Sequence, residues 1–444
     1  MLNIKALEKT AMTYPEIVSS DLDEVINHVL KNSTFAALDK PERHRKVSRA
    51  DIIKALLFMQ GGSLQKELHE LGLNISASAF VQRRRQIPSE LLGDILTELH
   101  ARYDTPKTYL GYRVLAVDGT AVNMARNPES RCFVCNPSAP QGYCQLHATP
   151  MYDILNKSYR ACVIQPQPQQ DEIGALDALL AWHDFEEKTL LVADRAFSSY
   201  NLFAAIQQKP NADFLIRVKQ GRGAMREVAK LPMRELDREI SFTITTTQTK
   251  EDKEKGYIFL QTRKRKDREY SQNTRAGRWD FPSPYPMKLR IVRVLLDTGE
   301  YETLATSLPP SVTAQQIKEL YHARWGLETA FREQKYDYGL VNLHGRSEEF
   351  ARQEIYASMI TASLCSRIIS RAVVKQHTGA AHVYQVNQKM AAYLCKKFFR
   401  TPGADGKQLM QDIARYTEPV RPGRQDERKL RPKSFVGFLY RVAA

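Results

Sequence analysis

Apolar and polar positions change their period several times along the chain. Over residues 1–105 the spacing is helical. Ile52, Ile53, Ala55, Leu56, Leu57 and Met59 recur on one pattern behind Ser48, a side chain suited to cap a helix start. Gly61 and Gly62 break that run, residues 64–71 resume it, and Gly72 breaks it again. A further helix is expected behind Ser76, reaching Arg83, Arg84 and Arg85. Short helix, glycine turn and capped helix are compatible with a helix-turn-helix, whose arginines would either meet DNA or form a solvated face.

From residue 108 the period shortens. Strands are expected over 109–117, 161–164, 189–193 and 212–218, with helices over 171–182 and 201–208 between them. Strands alternating with helices imply an α/β core. Between 221 and 308 helical spacing gives way to β-branched alternation, at 241–247, 257–261 and 289–296, so a β-rich insertion is expected there. Pro282, Pro284 and Pro286 and the basic run 263–266 mark loops within it. Helical spacing returns at Thr313 and continues, with breaks, to residue 416. The expected order is a helical N-terminal DNA-binding domain (1–105), a first core part (106–220), the insertion (221–308), a second core part (309–375) and a helical basic region (376–444).

Composition narrows the partners. Sixty-five Lys+Arg against fifty Asp+Glu leave a net charge of +15 and a pI near 9.4, which favours an anionic partner. Hydrophobic residues at 43% and charged residues at 26% set aside disordered and collagen-like classes. No run approaches the roughly 18–20 apolar residues that cross a bilayer. Residues 1–14 lack a signal-peptide core, so a cytoplasmic location is expected. The run 263–266 and the tail 421–444, with seven basic and two acidic residues, suit a phosphate backbone or serve solubility alone.

Six cysteines are too few for a disulfide framework in a chain of 444 residues. Cys132, Cys135, Cys144 and His147 follow the spacing of a small four-coordinate zinc site; a structural Zn²⁺, unpaired thiols and a redox role are the alternatives. Four protein ligands would leave such a zinc no open position for catalysis.

Asp118 closes the apolar run 114–117, and Asp194 closes the run 189–193. Ligand sites in α/β proteins collect beyond strand carboxyl ends, although aspartate also opens ordinary turns. A third element joins them. Tyr321, Arg324, Glu328 and Lys335 fall, at about 100° per residue, within a wedge of roughly 60° on one helix face, with Arg332 at its edge. Carboxylates are natural ligands of Mg²⁺ or Mn²⁺, and three of them can hold two ions about 3.5–4 Å apart around a phosphodiester.

The pattern Tyr-x2-Arg-x3-Glu-x6-Lys at Tyr321, Arg324, Glu328 and Lys335 resembles the signature of the DDE transposases of the insertion-sequence-four family. Its surroundings at 323–333, the triplet Asp118, Gly119 and Thr120, and residues 194–200 and 61–67 are similar too, so the resemblance spans residues 40–375. It implies an RNase H-like catalytic core interrupted by a β-rich insertion, with Asp118, Asp194 and Glu328 as ligands of two Mg²⁺ or Mn²⁺ ions. It implies that Tyr321, Arg324 and Lys335 contact transposon-end DNA. It further implies nicking at element ends, attack of the 3′-hydroxyl on target DNA, a homodimer in the DNA complex, and a bacterial, nucleoid-associated protein. Some relatives form a hairpin and stack a flipped base on a tryptophan of the insertion. Residues 299–304 hold no tryptophan, which leaves Tyr301 or Trp279 either to serve there or merely to pack. A DNA-binding regulator that does not cut, and a metal-dependent nuclease that does not join, are the rival functions.

Overall fold

The runs at 113–117 and 189–193 are buried along their whole length, which requires a layer on each face of the sheet they form. The computed structural model, describing residues 12–32, 46–102, 106–221, 223–260, 279–376, 379 and 382–421, has both layers. The basic run 263–266 and the tail beyond residue 421 lie outside the described residues.

Residues ahead of the sheet form α1 (Tyr14–Asn32), α2 (Arg49–Phe58), α3 (Leu64–Glu70), α4 (Ala77–Arg84) and α5 (Ser89–Ala101). Ser48 caps α2 as its position predicts: Asp51 N–H donates to Ser48 Oγ at 3.1 Å, and Ser48 N–H donates to Asp51 Oδ2 at 2.6 Å.

The sheet contains β1 (Arg113–Val117), β2 (Thr120–Met124), β3 (Phe133–Asn136), β4 (Ala139–Asp153), β5 (Ser158–Pro166), β6 (Thr189–Ala193), β7 (Ala212–Arg217), β8 (Leu236–Thr245), β9 (Ile258–Phe259), β10 (Tyr285–Leu295) and β11 (Tyr301–Thr306). Its order is β2-β4-β1-β6-β7-β11-β10-β8-β9, with β3 and β5 also pairing with β4. β1, β6 and β7 run parallel at its centre. β4 joins β1 and β11 joins β7 antiparallel on the two sides. The strands of 221–308 thus extend the core sheet, and two short helices, Arg226–Ala229 and Lys250–Glu254, interrupt a stretch whose spacing predicts only strands.

Alternation along the strands sends Leu115, Val117, Leu191 and Ala193 to one face. There they pack with Leu176 and Leu179 of α6 (Glu172–Trp182) and with Leu202 and Phe203 of α7 (Tyr200–Gln207). Val114, Leu190 and Val192 face the other way, against Ile317 and Leu320 of α8 (Ala314–Ala323). α9 (Trp325–Tyr336) follows, then α10 (Glu348–Ile369). α10 is buried around most of its circumference, because it packs on α2, α5 and β5 and on α11 (Gln388–Arg400). α12 (Gly406–Arg415) and a small ribbon of β12 (Tyr384–Val386) with β13 (Thr417–Pro419) complete the described chain. No helix among the described residues is long and apolar enough to cross a membrane.

β4 is the largest departure from the expected elements. Pro137, Pro140 and the cysteines suggest a punctuated loop, yet Cys144, Leu146 and Ala148 enter one core cluster at the strand period of two.

Candidate active site

Parallel pairing of β1 with β6 sets Val117 opposite Ala193, so Asp118 and Asp194 leave adjacent strands at the same level. Neighbouring strands lie about 4.8 Å apart, which brings the two aspartates into one crevice. Gly119 N–H donates to Asp118 Oδ1 at 2.8 Å. Asp194 Oδ1 accepts from Ala196 N–H at 2.7 Å and so caps the turn Arg195–Phe197. Glu328 reaches the same crevice from the first turn of α9. Arg324 binds the groups together: its Nη1 lies 3.0 Å from Asp118 Oδ2 and its Nη2 3.4 Å from Glu328 Oε1. The guanidinium is buried, Asp118 is partly buried, and Glu328 is open to solvent.

Burial pushes the Asp118 carboxyl up to about 6; Asp194 and Glu172 add repulsion, while Gly119 N–H and Arg324 oppose the rise. Burial works against the charge of Arg324, yet Tyr321, Asp118, Glu328 and Asp194 together raise its pKa. Burial also raises the Tyr321 hydroxyl, with Arg324 beside it pulling the other way.

The single helix expected over 321–335 is two. α8 ends at Ala323 and α9 begins at Trp325, with Arg324 at the junction. Arg324 N–H donates to Tyr321 O, and Leu327 N–H to Arg324 O, tightening the turn where the guanidinium enters the crevice. Tyr321 is buried against the sheet. Lys335 lies half-buried toward the far end of α9, with no ion pair to the carboxylates among the described residues; Arg332 is exposed.

Two expectations are corrected. Arg84 does not face solvent or DNA. Its Nε donates to Gln353 Oε1 at 2.6 Å and its Nη2 to Phe350 O at 2.8 Å and Glu354 Oε1 at 2.9 Å, all on α10. Three successive helical residues point about 100° apart, so only part of such a run shares a face. Arg83 donates to Val47 O, and Arg85 is exposed. Nor do Cys132, Cys135, Cys144 and His147 gather. Cys144 and His147 are three residues apart on β4 and project from opposite faces of it. Cys144 lies in the core beneath Asn127, whereas His147 Nε2 is 3.0 Å from Glu172 Oε1. Among the described residues no three His, Cys, Asp or Glu side chains are grouped to hold a metal ion.

Only Cys135 of the six thiols is exposed, and burial pushes Cys132 up to about 11. A disulfide reagent is therefore expected to modify Cys135 in the folded chain and the other five only in denaturant. Peptide mapping checks this; rapid labelling of Cys132 or Cys144 in the native protein would contradict it. Trp279 packs on Phe281, with ring centroids 5.6 Å apart, and Tyr301 opens β11 half-buried.

Glu172 and Arg217 escape the sequence pattern, and His147 stands with Glu172 rather than with the cysteines. The imidazole of His147 and the carboxylate of Glu172 lie over Gly119. Arg217 stands beside Asp194 at the end of β7 and pairs with buried Glu302 at 3.6 Å, which His322 approaches at 3.5 Å. The matching level of the ends of β6 and β7 was the one available signal for Arg217. Nothing local marks Glu172 beyond its place in the first turn of α6.

The family model described as "Transposase DDE domain" matches residues 109–364, more than half of the chain, a range within which Asp118, Asp194 and Glu328 fall. No curated protein matches. A solved structure described as "Cryo-EM structure of piggyBac transposase synaptic complex with hairpin DNA (SNHP)" is similar at 13% identity and a TM-score of 0.41, over 94% of this chain and 88% of that chain.

Proposed function

The chain belongs to the transposase DDE domain family, and from it we propose an enzyme that cleaves DNA at the ends of an insertion sequence of the insertion-sequence-four type and joins the freed 3′-hydroxyl to target DNA. One observation carries this: Asp118, Asp194 and Glu328, far apart along the chain, approach one guanidinium, that of Arg324. The core, with β1, β6 and β7 parallel and β4 and β5 antiparallel beside them, is consistent with an RNase H-like sheet.

The donors fit hard divalent ions in kind. They are carboxylate oxygens, and the charge that now bridges Asp118 and Glu328 is itself a cation. Asp118, Asp194 and Glu328 would hold Mg²⁺ or Mn²⁺, two ions, which when bound would activate the attacking hydroxyl and stabilise charge on the scissile phosphate. Arg324 has the geometry to exchange its carboxylates for a DNA phosphate, a bidentate partner it binds equally well. Tyr321, buried beside it, fixes the turn from which it reaches. Lys335, Arg332 and exposed Arg85 complete the residues proposed to follow the backbone, with the helical N-terminal domain, the basic segments and a homodimer engaging the two ends.

A duplex bearing the element ends, incubated with Mg²⁺ and a supercoiled target, tests the proposal. Nicked ends and target-joined product are expected. Nicks with no joined product would instead indicate a nuclease, and end binding with no nick a regulator.

A further inference from the structure

We propose that His147 and Glu172 are positioning residues for the Asp118 loop, seated on Gly119 and bringing a fourth carboxylate to bear on a divalent cation at the acidic site. This rests on the transposase reading above and deepens it, since neither residue belongs to the Asp, Asp, Glu triad.

The geometry is unusually close. A Cβ on Gly119 would lie 2.1 Å from Glu172 Oε1 and 2.2 Å from His147 Nε2, so any side chain there must expel the pair. Gly119 is the residue whose N–H orients Asp118 Oδ1. Both atoms therefore lie close over the residue whose peptide aims the first carboxylate. Glu172 is itself held from two directions. Its helix starts on a cap in which Gly174 N–H donates to Asp171 Oδ1 at 3.0 Å, and Asp171 N–H donates to Gln165 Oε1 on β5 at 2.9 Å. From the sheet side, His147 Nε2 meets Glu172 Oε1 at 3.0 Å.

The histidine is the second observation. It is 6% exposed, and its Nδ1 has no hydrogen-bond partner among the described residues. A buried nitrogen left unpaired costs stability that an apolar side chain on β4 would not, and such exceptions in native cores ask for a role. Holding Glu172 beside Asp118 is that role. The carboxylate adds repulsion at Asp118 to that of Asp194, and Arg324 offsets part of that charge where a divalent cation would offset more. Carboxylates and imidazoles that orient or charge a metal site from behind its ligands typically change metal affinity by 10–100-fold.

The test uses the full chain with Mn²⁺ as probe, free ion being counted by electron paramagnetic resonance without DNA or turnover. Glu172→Gln keeps the volume and a partner for His147 and removes only the charge. Its Mn²⁺ dissociation constant is expected to rise roughly tenfold or more. The Mg²⁺ concentration for half-maximal cleavage should rise in step, while transposon-end binding and the thermal midpoint stay unchanged. Glu172→Asp, which keeps the charge, should recover part of the loss. Unchanged Mn²⁺ affinity in Glu172→Gln, alongside lost binding in Asp194→Asn, overturns the role of Glu172 and leaves the active site standing. Full Mn²⁺ binding by Asp194→Asn overturns the active-site reading and this inference with it. Should Glu172→Gln lose its cooperative thermal transition, His147→Gln decides: weakened Mn²⁺ binding supports the pair, and unchanged binding removes it.

Discussion

Asp118→Asn, Asp194→Asn and Glu328→Gln are each expected to lower DNA cleavage on the order of 10³-fold or more, the scale at which removing one member of a cooperating catalytic set abolishes its function. The variants should still fold. Asparagine at 194 can still cap the turn at Ala196, because its side-chain oxygen accepts the same N–H. Asparagine at 118 keeps an acceptor for Gly119 N–H and leaves Arg324 paired with Glu328. Glu328 is 55% exposed, and substitutions at such sites change stability within about 0.5 kcal/mol. Cleavage, end binding by gel shift and the thermal midpoint, measured together on each variant, separate lost chemistry from lost structure. Near-normal cutting by any one of the three would remove that residue from the set.

Arg84→Ala should be the most damaging substitution away from the crevice, at about 3–5 kcal/mol, the usual cost of removing one partner of a buried ion pair. Its guanidinium is buried over the Phe350 ring and donates to Gln353, Phe350 and Glu354. Burial lowers its pKa, with Glu354 opposing. Truncation takes the guanidinium from Glu354, which also accepts from His344 N–H at 2.7 Å and Gly345 N–H at 2.8 Å, so the turn before α10 should loosen too. The urea midpoint should fall sharply for Arg84→Ala and stay put for Arg85→Ala, whose side chain is exposed. Replacing both members, as Arg84→Met with Glu354→Gln, should recover part of the loss, since no charge is then buried alone and an amide oxygen still accepts from the turn before α10. Equal midpoints for Arg84→Ala and the unmutated chain would refute the inward orientation.

Much of this site was legible one segment at a time. The run 189–193 is recovered residue for residue as β6, and Ser48 and Ser76 cap the helices their positions predict. Asp118 and Asp194 do end strands, and Glu328 does lie on a helix. The failures share one cause. Arg83, Arg84 and Arg85 are chemically alike, and helical geometry guarantees only that they point apart; which one meets α10 depends on residues some 270 positions away. The four zinc candidates satisfied a spacing rule that presumes a loop, whereas pairing with β2 and β5 draws 139–153 into a strand and throws Cys144 and His147 to opposite faces.

The amino-acid order alone singled out Asp118, Asp194 and Glu328 as candidates, because an apolar run ending in a carboxylate and a helix-spaced signature are short-range patterns. Tertiary structure alone decided that Asp118 stands level with Asp194, that Arg324 lies between Asp118 and Glu328, and that His147 and Glu172 close over Gly119. Those outcomes depend on hydrogen-bond register between strands remote along the chain and on space left by a missing Cβ, neither of which any single segment encodes.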